Sequence, residues 1–168
     1  MSVSRKYVTE VHAAMSVEER IRELGFVLPS PPKPAGAYVP GVVTGGILFV
    51  SGQTGTVDGS LVYSGKLGQE VSTEDGYKSA QIAVLNCLAE AKAVLEDLER
   101  ISRIVKVTGF VASAPGFGKQ PMVVNGASEL LVSIFGDRGK HSRSAVGVAE
   151  LPFGAPVEVE LIADVLQA

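Results

Sequence analysis

The sequence predicts an α/β or α+β domain: one sheet with its helices on one face. Three observations carry this. Apolar residues at Tyr77, Ala80, Val84, Cys87, Ala91, Val94 and Leu98 are spaced by three and four, which makes one stripe along one helix. Short β-branched runs such as Ile47–Val50 and Ile104–Val111 read as strands. Strands, helix, strand, helix and strands follow one another with no repeat and no composition break, so one core is expected.

The elements follow in order. Ser16-Val17-Glu18-Glu19 is a capping box, predicting a helix from Val17 to about Leu24 that Gly25 stops. Residues 1–14, ahead of Met15, read as an extension or a true arm. Pro29-Ser30-Pro31-Pro32-Lys33-Pro34 admits neither helix nor central strand, so it is an extended connector. Gly36-Ala37-Tyr38 begins the first strand, and Gly45-Gly46 turns it into Ile47–Ser51. Asp58-Gly59 turns into a short Leu61-Val62-Tyr63 strand.

Ser72-Thr73-Glu74-Asp75 opens the long helix, whose stripe includes Cys87; Lys78, Gln81, Glu90, Lys92 and Asp97 fall on the opposite side. Cys87 therefore reads as core packing. A strand over Ile104–Val111, a helix from Lys119 to Phe135 ended by Gly136, and strands over Ser144–Ala149 and Val157–Val165 complete the chain. The last strand alternates and then turns apolar, which suggests a start at a wet edge and a run into the core. Helices on one face leave the other face needing cover, which self-association would supply.

Composition excludes several functions. Of 168 residues, 46% are hydrophobic and 20% charged, so the chain folds. A net charge of −3 without a Lys/Arg cluster argues against nucleic-acid binding. One cysteine makes no internal disulfide, no signal peptide is visible, and the longest apolar run is too short to cross a bilayer; a cytoplasmic location is the default expectation. His12 and His141 with one Cys give no metal-ligand spacing, so no metal is expected. Neither a phosphate loop nor a GxSxG elbow occurs.

Polar residues on strands remain. Arg143 opens an apolar strand, as a solvated strand end or as a carboxylate clamp gripping through two parallel hydrogen bonds. Glu160 shares a face with Glu158 and precedes Leu161-Ile162-Ala163; it is a surface glutamate or, if buried, a group with a partner or a task.

Gly36-Ala37-Tyr38-Val39, Phe49-Val50-Ser51-Gly52-Gln53, Ser142-Arg143-Ser144-Ala145-Val146, and Leu151-Pro152 with Val157–Ala163 resemble, in order, the signature segments of the Rid/YjgF family (RidA-like, also labelled endoribonuclease L-PSP). Lys106–Val111 and Val124-Asn125 agree as well. The resemblance covers about Pro34 to Val165, dividing the chain into an extension over 1–34 and a Rid/YjgF domain over 35–168.

The resemblance implies a chorismate-mutase-like α+β fold: a mostly antiparallel sheet with two helices on one face, three copies forming a barrel with clefts between subunits. It implies hydrolysis of enamine/imine intermediates of the 2-aminoacrylate and 2-iminobutyrate type to 2-keto acids and ammonia. Arg143 would hold the substrate carboxylate and the Ala145 N–H would add a donor. Glu160 would activate water, while Tyr38, Ser51 and Gly52 line the cleft, Tyr38 from a neighbouring subunit. Asn125 would support the site, and His141 is a further candidate beside Arg143. No cofactor is needed, because an imine carbon is already electrophilic.

Three departures stand out. Ala145 replaces a frequent cysteine, Gly126-Ala127-Ser128 is smaller than the usual aromatic-containing stretch and suggests a roomier or differently shaped pocket, and the segment before Tyr38 marks a longer subgroup. Two other readings stay open: a metabolite-binding or regulatory module on the same cleft, which would not need Glu160, and a ribonuclease or translation inhibitor, which the charge disfavours.

Overall fold

The computed structural model describes residues 15–32 and 36–166. His12, the segment 1–14 and Pro34 of the connector lie outside the described residues. The first helix, α1 (Val17–Glu23), begins at the predicted capping box, where Ser16 Oγ accepts from the Glu19 N–H and Glu19 Oε2 accepts from the Ser16 N–H. Val17 and Ile21 are buried in the same core as the sheet, and Lys92 ties α1 to the long helix through Glu18 at 2.7 Å.

The main sheet holds β1 (Gly41–Thr44), β2 (Ile47–Thr54), β5 (Ile101–Ala112), β6 (Ser142–Val148) and β7 (Val157–Val165) in the order β1-β2-β7-β5-β6. All neighbours are antiparallel except β5 and β6, which run parallel. A separate ribbon pairs β3 (Thr56–Val57) with β4 (Ser60–Leu61). The Gly45-Gly46 and Asp58-Gly59 turns have positive φ at both residues, as tight hairpins twisted like their strands require.

The helices α2 (Thr73–Leu95) and α3 (Gln120–Phe135) cover one face. They approach closely at Gly126, where a Cβ would stand 2.1 Å from the Tyr77 carbonyl oxygen. Cys87 is buried as the stripe predicts, and burial pushes its thiol far up, away from reactivity. Among the described residues no helix is long and apolar enough to cross a membrane.

Four expectations are corrected. The first strand starts at Gly41, not Gly36: Ser51 donates from its N–H to Pro40 O and from Oγ to Val39 O, and Pro40 has no N–H to continue a ladder. The strand after Asp58-Gly59 stops at Leu61. β7 does not start at an edge; it is central, and its alternation separates the helix-covered face from an open one. Glu90, placed on the outer side of α2, is 2% exposed, because α2 buries more of its circumference than one stripe.

The open face mixes apolar and polar residues. Register places Val42, Phe49, Ile162, Phe110 and Val146 there, around Glu158, Glu160, Lys106, Thr108 and Ser144.

Candidate functional site

The candidate residues fall into two groups, on opposite faces of the sheet. The first lies where β2 bulges between Val50 and Gln53. The bulge lifts Ser51 and Gly52 out of the ladder, and the two Ser51 bonds to Pro40 and Val39 hold the segment carrying Tyr38 against it. Tyr38 is half exposed. The carboxylate leaning over Gly52 belongs to Glu158: a Cβ on Gly52 would stand 2.0 Å from Glu158 Oε1, so only glycine admits that side chain. Burial, and then the charge of Glu160, push the Glu158 carboxyl above its ordinary value. Glu160 lies one pair further along β7, opposite Thr108.

The second group lies at the β6 edge, on the helix-covered face. Arg143 pairs in register with buried Val107, so its side chain meets α3. Arg143 Nη1 donates to Asn125 Oδ1 at 2.8 Å and Ser128 Oγ at 3.1 Å, and Nη2 points to the Pro121 carbonyl at 3.4 Å. Asn125 and Ser128 are one turn apart and share a helix face. Among the described residues Nε makes no hydrogen bond. The guanidinium is therefore held mainly at Nη1, with the longer Nη2 bond beside it and Nε without a hydrogen bond among the described residues.

Ala145 turns its methyl toward the core. Its N–H points outward: Val148 O accepts from Ser113 N of the neighbouring strand side, and alternation turns residues 143, 145 and 147 to the free edge. His141 Nδ1 lies 2.6 Å from Gly139 O and its Nε2 lies 3.0 Å from Ser128 Oγ.

The structure thus gathers Tyr38, Ser51 and Gly52 with Glu158, and Arg143 with Asn125, Ala145 and His141. It does not bring Glu160 to Arg143 within one chain. Their strands are separated by β5, about 10 Å at ordinary strand spacing, and the side chains leave opposite faces. Sequence reasoning did not single out Glu158, although it shares the Glu160 face; Gly52, whose missing side chain makes room for it, was the available signal. It also missed Ser128. Gly126 and Ala127 are both buried, Gly126 against Tyr77 of α2. Among the described residues no group of three His, Cys, Asp or Glu could hold a metal ion.

A family model described as "YjgF/chorismate_mutase-like, putative endoribonuclease" matches residues 18–165. The chain belongs to this YjgF/chorismate-mutase-like family. The match starts inside α1, so the described part of the amino-terminal segment lies largely within it. Protein TCP17 of Trypanosoma cruzi is 41% identical over 155 residues, spanning 92% of this chain and 97% of that protein. A 2-iminobutanoate/2-iminopropanoate deaminase of Dermatophagoides farinae is 34% identical over 136 residues, spanning 80% of this chain and 90% of its own length. The crystal structure of Atu1372 from Agrobacterium tumefaciens superposes with a TM-score of 0.85 at 41% identity, over 89% of this chain and 92% of that one. These YjgF-family relatives span nearly the whole domain, so the α+β fold and both residue groups lie inside the matched region.

Proposed function

We propose that the protein hydrolyses small imines bearing a carboxylate, of the 2-iminobutyrate and 2-aminoacrylate type, in clefts between the subunits of a homotrimer. One observation carries the reading: Arg143, on the edge strand β6, is held at Nη1 by Asn125 and Ser128 while its Nε makes no hydrogen bond among the described residues, and the N–H of Ala145 on the same strand points to the free edge. Such an edge suits a planar carboxylate. The kinship with a 2-iminobutanoate/2-iminopropanoate deaminase supports it.

The two residue groups explain why a second copy is needed. A substrate on Arg143 of one subunit meets the carboxyl over Gly52 only if another subunit's open face is laid against the β6 edge. The apolar residues on that face, Phe49 at 44% exposed and Val146 at 42%, favour such packing.

The chemistry assigns the proton work to Glu158, in place of Glu160. A carboxyl whose affinity for its proton is raised can both take a proton from water and return one to the departing nitrogen. Water adds to the imine carbon and gives a carbinolamine. Breaking the C–N bond then releases ammonia and leaves the 2-keto acid. Glu160, as a like charge one pair away, sustains the shift at Glu158. The pair of acidic groups also disfavours the ribonuclease reading, since both would repel a phosphate backbone.

The test generates 2-iminobutyrate with a pyridoxal-phosphate dehydratase and follows its decay. The wild type should accelerate decay above the spontaneous rate. Glu158→Gln should lower kcat by about 100-fold or more, the usual scale of a lost acid–base group. Glu160→Gln should cost about tenfold or less; the reverse order would return the role to Glu160. An inert wild type that still binds 2-ketobutyrate would favour a binding module over an enzyme.

A further inference from the structure

The donors and acceptors around Arg143 leave one consistent arrangement. The Gly139 carbonyl can only accept, so His141 Nδ1 carries a hydrogen. In the neutral ring Nε2 is then an acceptor, and the proton it accepts comes from the Ser128 hydroxyl, 3.0 Å away. That fixes the hydroxyl rotor, and a lone pair of Ser128 Oγ faces Arg143 Nη1, which can only donate. The order runs Arg143 to Ser128 to His141 to the Gly139 carbonyl, with Asn125 Oδ1 taking the other Nη1 hydrogen.

The fold builds this chain of bonds deliberately. Gly136 ends α3 with a positive φ, and the turn over Gly136–Gly139 folds back along the helix. Gly139 sits so close that a Cβ there would stand 2.3 Å from the Leu131 carbonyl oxygen. The next residues bring His141 back alongside Ser128, two turns up the helix from its end.

We propose that Ser128 and His141 are positioning residues: a neutral histidine, acting through the serine hydroxyl, fixes which edge of the Arg143 guanidinium faces the substrate carboxylate. In this arrangement His141 acts through Ser128 rather than by touching the substrate itself. Burial, and the neighbouring Arg143 charge, hold the ring below its ordinary proton affinity despite the Gly139 bond, which keeps Nε2 an acceptor at neutral pH. The inference rests on the carboxylate-binding reading of Arg143 for its functional consequence, but not for its geometry.

The test uses the full-length protein and four variants: Ser128→Ala, Ser128→Thr, His141→Phe and His141→Gln. A glutamine carbonyl can stand where Nε2 stands and accept the same proton. Nitrogen-15 NMR reads the Arg143 guanidinium directly, with Arg143→Lys identifying its signals. Titration with 2-ketobutyrate reads binding without turnover, and circular dichroism confirms that each variant folds.

Ser128→Ala and His141→Phe should average the Arg143 Nη signals that the wild type resolves. They should weaken 2-ketobutyrate binding about tenfold, with KM raised and kcat nearly kept, as for an interaction made equally in ground and transition states. Ser128→Thr and His141→Gln should recover most of both. Unchanged Arg143 signals in His141→Phe, or the same loss in His141→Gln, would overturn the proposal. If the Arg143 signals respond as stated while no variant, nor the wild type, binds 2-ketobutyrate, the positioning chain stands and the carboxylate reading fails.

Discussion

A single missing side chain, that of Gly52, makes room for the glutamate to which we assign the proton work. Glu158 occupies the volume a Cβ would take there, and burial raises its proton affinity. Gly52→Ala should therefore behave like a site mutation: near-normal folding by circular dichroism, but loss of turnover as Glu158 is displaced. His141 makes a second prediction. Its affinity for a proton is lower in the fold than its ordinary value near 6.5. The unfolded chain then binds more protons in that range, so the contribution of His141 to stability is complete above about 6.5 and is lost as pH falls through the folded value. Tm should fall between pH 7 and pH 5 more steeply in the wild type than in His141→Gln; parallel curves would count against it.

Glu90 has the opposite sign. Burial raises its proton affinity, so the folded state prefers the neutral carboxyl; stability is fully present below its ordinary value and declines as pH rises through the folded one. Removing the charge with Glu90→Gln should stabilise the protein by roughly 1–2 kcal/mol at pH 8, with the gap closing toward pH 4. Denaturant melts at the two pH values measure it.

At the scale of elements, the sheet and helices meet through a few specific contacts. Asn86 of α2 donates from Nδ2 to the carbonyls of Thr54 and Thr56 at 2.9 Å each, holding the end of β2 and the start of β3. Asn86→Leu leaves both acceptors without that donor and should cost about 2 kcal/mol. Gly126→Ala drives a methyl into the Tyr77 carbonyl and should cost about 3 kcal/mol, since neither helix backbone can yield. Chemical denaturation should rank both well above an exposed change such as Lys78→Ala. Gly126 thus serves packing while Ser128, two positions on, accepts from Arg143.

For the whole molecule, the two residue groups of one chain are separated by the sheet itself, so the proposed clefts need neighbours. Phe49→Lys, on the open face, should dissociate the assembly in sedimentation and abolish turnover together. A sharper test mixes two inactive proteins. Arg143→Ala and Glu158→Gln subunits, unfolded and refolded together, should recover about a quarter of wild-type sites, because a closed ring joins an intact Arg143 to an intact Glu158 with that probability. No recovery, with mixed rings demonstrated by mass, would place both groups in one subunit.

The sequence by itself determined the fold class, the Ser16 cap, both principal helices, the Gly45-Gly46 hairpin and the Cys87 core position. Each depends on local chemistry: a hydroxyl near a free N–H, a period of three and four, a glycine pair tolerating positive φ. It also brought out Arg143, whose charge opens an apolar strand. Only the tertiary structure decided the rest. Strand order put β7 at the centre, and so gave Glu158 and Glu160 an open face rather than a wet edge. The β2 bulge brought Gly52 under Glu158, and the turn after α3 delivered His141 to Ser128. These depend on which atoms approach across distant segments, and pattern along the chain carries no record of distance across it.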